Sequence, residues 1–183
     1  MLGRRMKRVA VALALAGSVG LVTLAAQRSV TNSADPHLKR LFPTAVAFSP
    51  HGGTPLHYKA YGVDPKAHPA AQPIGLVFWT TDLVPNEHGY HGAIHMLVGM
   101  DMSGVLTGVI VNFNTEPYGY FSVDPPAFAA QFTGKSVRAP FRIAEDVHAV
   151  SRATISISSA ARALRDSTRA MAKQFLNPAM VKE

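Results

Sequence analysis

Val147-His148-Ala149-Val150-Ser151-Arg152-Ala153-Thr154, together with the segment that follows it, decides the architecture of this chain. After this stretch, apolar residues recur at helical spacing, at Ile157, Ala160, Ala161, Leu164, Met171 and Phe175. Basic residues take the opposite face, at Arg162, Arg165, Arg169 and Lys173. Asn177-Pro178 ends the pattern, because proline cannot continue a helix. The spacing predicts a long C-terminal helix with Thr154 in or just before its first turn.

The position of Thr154 has two interpretations. In the first, Ser151 or Thr154 is simply the N-cap, since hydroxyl residues commonly precede helices. In the second, the free backbone N–H groups of the first turn and the positive end of the helix dipole bind an anion. Arg152 adds a formal charge two residues away, so the second interpretation suits a phosphate.

Composition excludes several classes of protein. The chain has 183 residues, 48% hydrophobic and 16% charged, which is typical of a globular domain with a real core. It contains no cysteine, which excludes disulfides, thiolate metal sites and iron–sulfur ligation. The net charge of +7 owes much to a basic cluster at the N-terminus. The remainder is only mildly basic and has no groove-reading motif, so we expect no nucleic-acid partner.

The N-terminal segment has the composition of a membrane anchor or an export signal. Residues 9–26 are apolar or small and uncharged, and they follow Arg4, Arg5, Lys7 and Arg8. The run is near the lower limit of about 17–25 residues for a membrane span. Thr23-Leu24-Ala25 offers a possible cleavage site, but the sequence favours an uncleaved anchor. Because the positive end stays cytoplasmic, we expect one span in a bacterial inner membrane with the domain facing the periplasm, or export to the periplasm after cleavage.

The rest of the chain predicts strands joined by turns. Residues 1–30 are assigned to the signal anchor, 31–55 to a linker and packing segment, 56–178 to the folded domain and 179–183 to a tail. Apolar runs bounded by turn residues predict strands at Leu56–Tyr61, Ile74–Thr80, Ile94–Met100 and Val105–Phe113. The last two form a hairpin across Asp101–Gly104, and Pro125–Phe132 suits a short helix. We therefore expect an α+β fold: a twisted, mostly antiparallel sheet with the long C-terminal helix packed near it.

Four motifs in this order resemble the FMN-binding domain family, found in NosR-type and RnfG/NqrC-type membrane flavoproteins. They are Gly89-Tyr90-His91-Gly92, the Asp101–Gly104 turn, Glu116-Pro117 and Ser151-Arg152-Ala153-Thr154. The Glu-Pro and Ser-Arg-Ala-Thr forms are closest to the NosR type, which supports nitrous-oxide reduction. The resemblance spans about Gly75 to Phe175 and implies the fold of that family.

The resemblance also implies a cofactor and its site. In the family, the last threonine of the motif is joined to the phosphate of FMN as a phosphoester, which carries over to Thr154. Ser151, Arg152 and Ala153 match the residues before it, and Tyr90, Gly92, Thr115 and Glu116 are implied to lie near the flavin ring. The acid that leads the family's motif falls on His148 here, while Asp146 lies two residues earlier. The implied protein is a flavin electron carrier matured by a flavin transferase, more an electron-transfer protein than a substrate-converting enzyme.

Two further hypotheses stay open at this stage. A binding, assembly or regulatory module could keep this fold without covalent flavin, and His148 would be the sign of that loss. His88, His91 and His95 lie close in sequence and are weak candidates for a copper or zinc site, although their spacing matches no tight ligand signature. The expected partner of the flavin carrier is a membrane redox complex or a periplasmic oxidoreductase, possibly copper-dependent.

Overall fold

The structure, a computed structural model that describes residues 36–181, is built around one antiparallel sheet and one long helix. The strands lie in the sheet in chain order: β1 (Ala47–Phe48), β2 (Tyr58–Tyr61), β3 (Gly75–Trp79), β4 (His95–Asp101) and β5 (Leu106–Phe113). The helices are α1 (Pro36–Leu41), α2 (Thr80–Leu83), α3 (Gly119–Ser122), α4 (Pro126–Ala130) and α5 (Thr154–Phe175), followed by a 3-10 turn at Pro178–Met180. The predicted α+β fold is confirmed.

The sheet is buried on both faces, which explains why its central strands are continuously apolar in sequence. Leu76 and Phe78 of β3 pack into the larger core beneath α5, whereas Val77 between them packs into a smaller core on the opposite face. Strand β4 divides in the same way, with Leu97 in the smaller core and its neighbours Met96 and Val98 in the larger. Helix α5 and helix α1 therefore cover opposite faces of the sheet.

Glycines in the sheet let α1 and the residue after it approach closely. A Cβ at Gly75 would overlap the ring of Phe42, and one at Gly99 would lie 3.0 Å from the Cβ of Leu41. Both Leu41 and Phe42 are buried. The segment 31–55, assigned to a linker and packing region, thus supplies a helix and the edge strand β1 among its described residues, neither of which the sequence pattern predicted.

Helix α5 follows the predicted pattern closely. It begins at Thr154 and ends at Phe175, two residues before Asn177-Pro178. Ile157, Leu164 and Met171 are fully buried in the larger core, while Arg162 and Lys173 on the other face are exposed. The apolar stripe of the helix therefore fixes its first turn at a defined place above the sheet.

The predicted membrane span at residues 9–26 lies outside the described residues. Among residues 36–181, no helix combines the length and the apolar character needed to cross a bilayer.

Candidate functional site

A cavity of about 360 Å³ opens beside the first turn of α5. This volume falls within the range of about 300–1,000 Å³ that is usual for small-molecule and cofactor sites. It is lined by Tyr90, Pro117, Tyr118, Arg152, Ala153, Thr154, Ile155 and Ser156. Thr154 is exposed and lies in the wall of the cavity.

The start of α5 is an uncapped helix end. The N-cap residue is Ala153, which is buried and provides no side-chain hydrogen bond, so neither Ser151 nor Thr154 is the N-cap. Arg152 stands before it with φ of 70°, in the left-handed region that non-glycine residues rarely adopt. Ser151 and Arg152 are both exposed. The first backbone N–H groups of the helix therefore have no side-chain cap, which is the arrangement that favours an anion.

Glu116 links two walls of the cavity. Its carboxylate accepts hydrogen bonds from the backbone N–H of Tyr90 and of His91, each at 2.9 Å, and from the hydroxyl of Ser156 in the first turn of α5. Burial raises the pKa of Glu116, but these bonds and one from the Gly92 amide outweigh it and hold the pKa below its ordinary value. The carboxylate is therefore ionised at neutral pH although it is buried.

Gly89 is required by this close approach. A Cβ at residue 89 would lie 2.6 Å from the Oε1 atom of Glu116, closer than side chains pack. Glu116 is itself oriented by Asn114, whose side-chain oxygen accepts a hydrogen bond from the Glu116 backbone N–H at 3.0 Å. The Gly89–Gly92 turn and the Glu116 loop are thus one packed unit.

The residues assigned from sequence occupy two different places. Tyr90 lines the cavity together with the motif residues Arg152, Ala153 and Thr154. Gly92, Thr115 and Glu116 do not line it. Gly92 lies beside Thr115, whose Oγ1 would be 3.3 Å from a Cβ at that glycine, and Thr115 is exposed.

Sequence reasoning missed four of the lining residues. Pro117 and Tyr118 directly follow the Glu116 loop, and Ile155 and Ser156 directly follow Thr154. Their adjacency to the two motifs was the available signal. The sequence alone did not show that the fold brings Tyr118 and Ile155, from two separate parts of the chain, to the same cavity.

The histidines at 88, 91 and 95 lie in separate environments. His91 stacks on Tyr90 with ring centroids 5.1 Å apart, His95 contacts Phe113 at 5.9 Å and the Thr81 hydroxyl at 3.3 Å, and His88 is exposed. Within residues 36–181, no three His, Cys, Asp or Glu side chains lie close enough to hold a metal ion. The structure therefore gives the histidine metal hypothesis no geometric support.

Asp146, the acid that most closely precedes the Ser-Arg-Ala-Thr motif in sequence, has a structural role. Asp146 accepts hydrogen bonds from the backbone N–H of Arg142 at 2.7 Å and of Phe141 at 3.2 Å, and pairs with Lys135 at 3.1 Å. Burial raises its pKa, but these partners together hold it below the ordinary value. His148, at the position of the family's acid, is exposed, and its backbone N–H donates to the side chain of Gln131.

The lining of the cavity combines one positive charge with a largely apolar surface. Arg152 is the one formally charged side chain among the described residues that line the cavity, and it stands beside the uncapped helix start. Tyr90, Pro117, Tyr118 and Ile155 supply a largely apolar wall. A suitable ligand would place an anionic group at the helix start and a flat apolar ring against this wall. Flavin mononucleotide has both parts.

Comparison with known proteins agrees with this geometry. The family model described as FMN-binding domain matches residues 89–168. The matched region runs from the Tyr90 turn through β4, β5 and the Glu116 loop into α5, and so contains every residue that lines the cavity. The chain has no match among the curated proteins. Residues 89–168 of the chain are therefore similar to the FMN-binding domain family.

Proposed function

We propose that this protein is a membrane-anchored periplasmic electron carrier whose FMN is attached covalently to Thr154. The observation that carries the proposal is the placement of Thr154. It is exposed on the wall of the cavity, in the first turn of α5, next to Arg152. The proposed carrier serves a respiratory oxidoreductase system of the NosR-like kind, possibly copper-dependent.

The helix start suits the phosphate of an attached FMN. A phosphoester to Thr154 leaves one negative charge next to the uncapped N–H groups of α5. Each charge placed at a helix N-terminus gains about 0.3–1 kcal/mol from the dipole at low ionic strength. Arg152 adds a charge-assisted partner on the same side.

The apolar wall suits the ring. Tyr90, Tyr118 and Ile155 are exposed by 64%, 45% and 55%, which is unusual for large hydrophobic side chains that meet at one cavity. A bound flavin ring would cover part of this surface. FMN supplies the electron-transfer chemistry, and the protein residues orient the ring and exclude water from one side of it.

Covalent attachment has a physical advantage outside the cytoplasm. A cofactor held only by weak contacts is lost by dilution where no pool of it is retained. A tether makes each rebinding event intramolecular, with an effective concentration in the millimolar range for a short link. The uncleaved anchor proposed at residues 9–26 would in turn keep the carrier near a membrane redox complex.

The decisive experiment follows flavin through denaturation. The full chain is co-expressed with a flavin transferase, and gel fluorescence and intact-mass spectrometry are recorded. We expect wild-type protein to retain yellow fluorescence in a denaturing gel and to carry the added mass of FMN, and Thr154→Ala to lose both. Thr154→Ser should retain attachment because it keeps a hydroxyl, and Thr133→Ala, at an exposed threonine away from the cavity, should behave like wild type. Unmodified wild-type protein would overturn covalent attachment.

A second candidate is a binding or assembly module that holds FMN without a covalent bond. It is favoured by one observation: Asp146, the acid that most closely precedes the motif in sequence, is occupied by Lys135 and two backbone amides, and the family's acidic position carries His148. The same gel separates the two candidates, because noncovalent flavin is released by denaturation. His148→Asp should then restore attachment if the missing acid is the cause.

A further inference from the structure

We propose that Glu116 is a positioning residue of the FMN site, which holds the Tyr90 turn against the first turn of α5 and does not touch the cofactor. The proposal rests on the proposed function, and it gives Glu116, which the sequence places near the flavin ring, a role without direct contact with the cofactor. Three segments far apart in the chain meet at this one carboxylate: the turn at 89–92, the loop at 114–118 and the start of α5.

Both oxygens of the carboxylate are already engaged. Oε1 accepts from the backbone N–H of His91, and Oε2 accepts from that of Tyr90 and from the hydroxyl of Ser156. Consecutive N–H groups that converge in this way form a nest, a concavity that binds an anion. Here the anion is internal, so the nest cannot receive the phosphate of FMN. The phosphate would therefore bind at the start of α5, beside Arg152.

The placement of Glu116 separates it from the cavity. Its side chain is only 8% exposed and does not line the cavity, although Tyr90 and Ser156, to which it is hydrogen-bonded, both do. Loss of the carboxylate would therefore release the Tyr90 turn from the first turn of α5 without removing a cofactor contact. Glutamine has nearly the same size, but it offers one acceptor oxygen and turns N–H donors toward a nest of N–H donors.

The first measurement uses flavin-free protein, so that it does not depend on the proposed function. Hydrogen exchange is followed at the backbone amides of Tyr90 and His91. We expect Glu116→Gln to accelerate exchange at both amides at least tenfold, and Ser156→Ala to accelerate it less. Glu145→Gln serves as the matched control, because Glu145 is an exposed acid that pairs with Arg142. Unchanged exchange in Glu116→Gln would overturn the proposal.

The second measurement uses flavin-loaded protein and reports the geometry of the ring. Visible circular dichroism of a flavin requires a fixed asymmetric environment. We expect its amplitude to fall by at least half in Glu116→Gln, with the flavin still attached at Thr154. Altered exchange with an unchanged dichroism spectrum would show that the turn does not position the cofactor and would also overturn the proposal.

The two measurements fail in distinguishable ways. Wild-type protein that takes up no FMN overturns the proposed function and, with it, the positioning of a cofactor, while the exchange data still decide whether Glu116 holds the turn. If Glu116→Gln does not fold, Ser156→Ala removes only one of the four hydrogen bonds to the carboxylate and carries both measurements, with a smaller loss expected in each. An unchanged result for Ser156→Ala in that case would count against the proposal.

Discussion

The segment that leads into α5, residues 141–153 (the approach), and the body of α5 from Ile157 onward differ in backbone conformation and in burial. Among residues 36–181, all three non-glycine residues with positive φ lie in the approach, at Phe141, Ala144 and Arg152. The helix then begins at Thr154 without a side-chain cap. From Ile157 onward, the helix turns fully buried apolar residues toward the sheet and has ordinary backbone geometry.

This difference separates residues that stabilise the fold from residues that hold the site. A left-handed conformation costs roughly 1–2 kcal/mol for a residue with a Cβ, and a missing N-cap costs about 1 kcal/mol. Such costs persist where the surrounding structure compensates for them, and they concentrate at functional sites. The packed body of α5 supplies that compensation. Four substitutions test this division, in order of their expected effect on the free energy of unfolding.

The largest effect should come from the body of the helix. Leu164→Ala removes a fully buried side chain and leaves a cavity, so we expect the free energy of unfolding to fall by about 3–5 kcal/mol. Urea denaturation monitored by far-ultraviolet circular dichroism measures it. The exposed residue Lys173, changed to alanine, is the control and should stay within about 0.5 kcal/mol of wild type. A loss below 1 kcal/mol for Leu164→Ala would contradict the role assigned to the helix body.

The next effect should come from the turn that leads into the motif. Asp146→Asn weakens hydrogen bonds to a charged acceptor, and we expect a loss of about 1.5–3 kcal/mol at pH 7. Because the folded-state pKa of Asp146 lies below its ordinary value, its ionisation stabilises the fold above that ordinary value. This stabilisation disappears as the pH falls through the folded-state pKa. The difference between variant and wild type should therefore shrink on acidification, and a difference independent of pH would exclude this cause.

A gain is expected at Arg152. Glycine adopts positive φ freely, so Arg152→Gly should raise the free energy of unfolding by up to about 1 kcal/mol after the added entropy of the unfolded chain is subtracted. Arg152→Lys keeps both the charge and the strain and should leave stability unchanged. The glycine variant should also bind the flavin phosphate less well, measured by FMN titration of the Thr154→Ala background. A stability loss in Arg152→Gly would show that its side chain supports the fold.

The smallest effect should come from Thr154. Its side chain is exposed and does not cap the helix, so Thr154→Ala should change the free energy of unfolding of flavin-free protein by less than about 0.5 kcal/mol. A loss of 1 kcal/mol or more would mean that the hydroxyl stabilises the helix start, and the contrast between the two regions would fail. Thermal and urea denaturation of matched flavin-free samples provide the measurement.

The sequence predicted the parts of the fold that depend on local periodicity. The apolar stripe of α5 and the hairpin of β4 and β5 appear within about a residue of their predicted bounds, because each is set by side chains a few positions apart. Helix α1 and strand β1 were not predicted. The place of α1 depends on glycines at 75 and 99 that are distant in sequence, and β1 has only two residues, too few to show a period. At the site, motif order led to Tyr90, Glu116 and Thr154, whereas the burial of Glu116 and its hydrogen-bond partners came only from the structure, since a buried carboxylate and a solvated one look alike in sequence.

Helix α1 has a consequence for how an anchored carrier would meet its partner. It lies on the face of the sheet opposite α5, held there by Leu41 and Phe42. If the protein is anchored through its N-terminal segment as proposed, the chain would enter the domain at Pro36, on the face of the sheet opposite α5, and the cavity beside Thr154 would stay accessible to a redox partner.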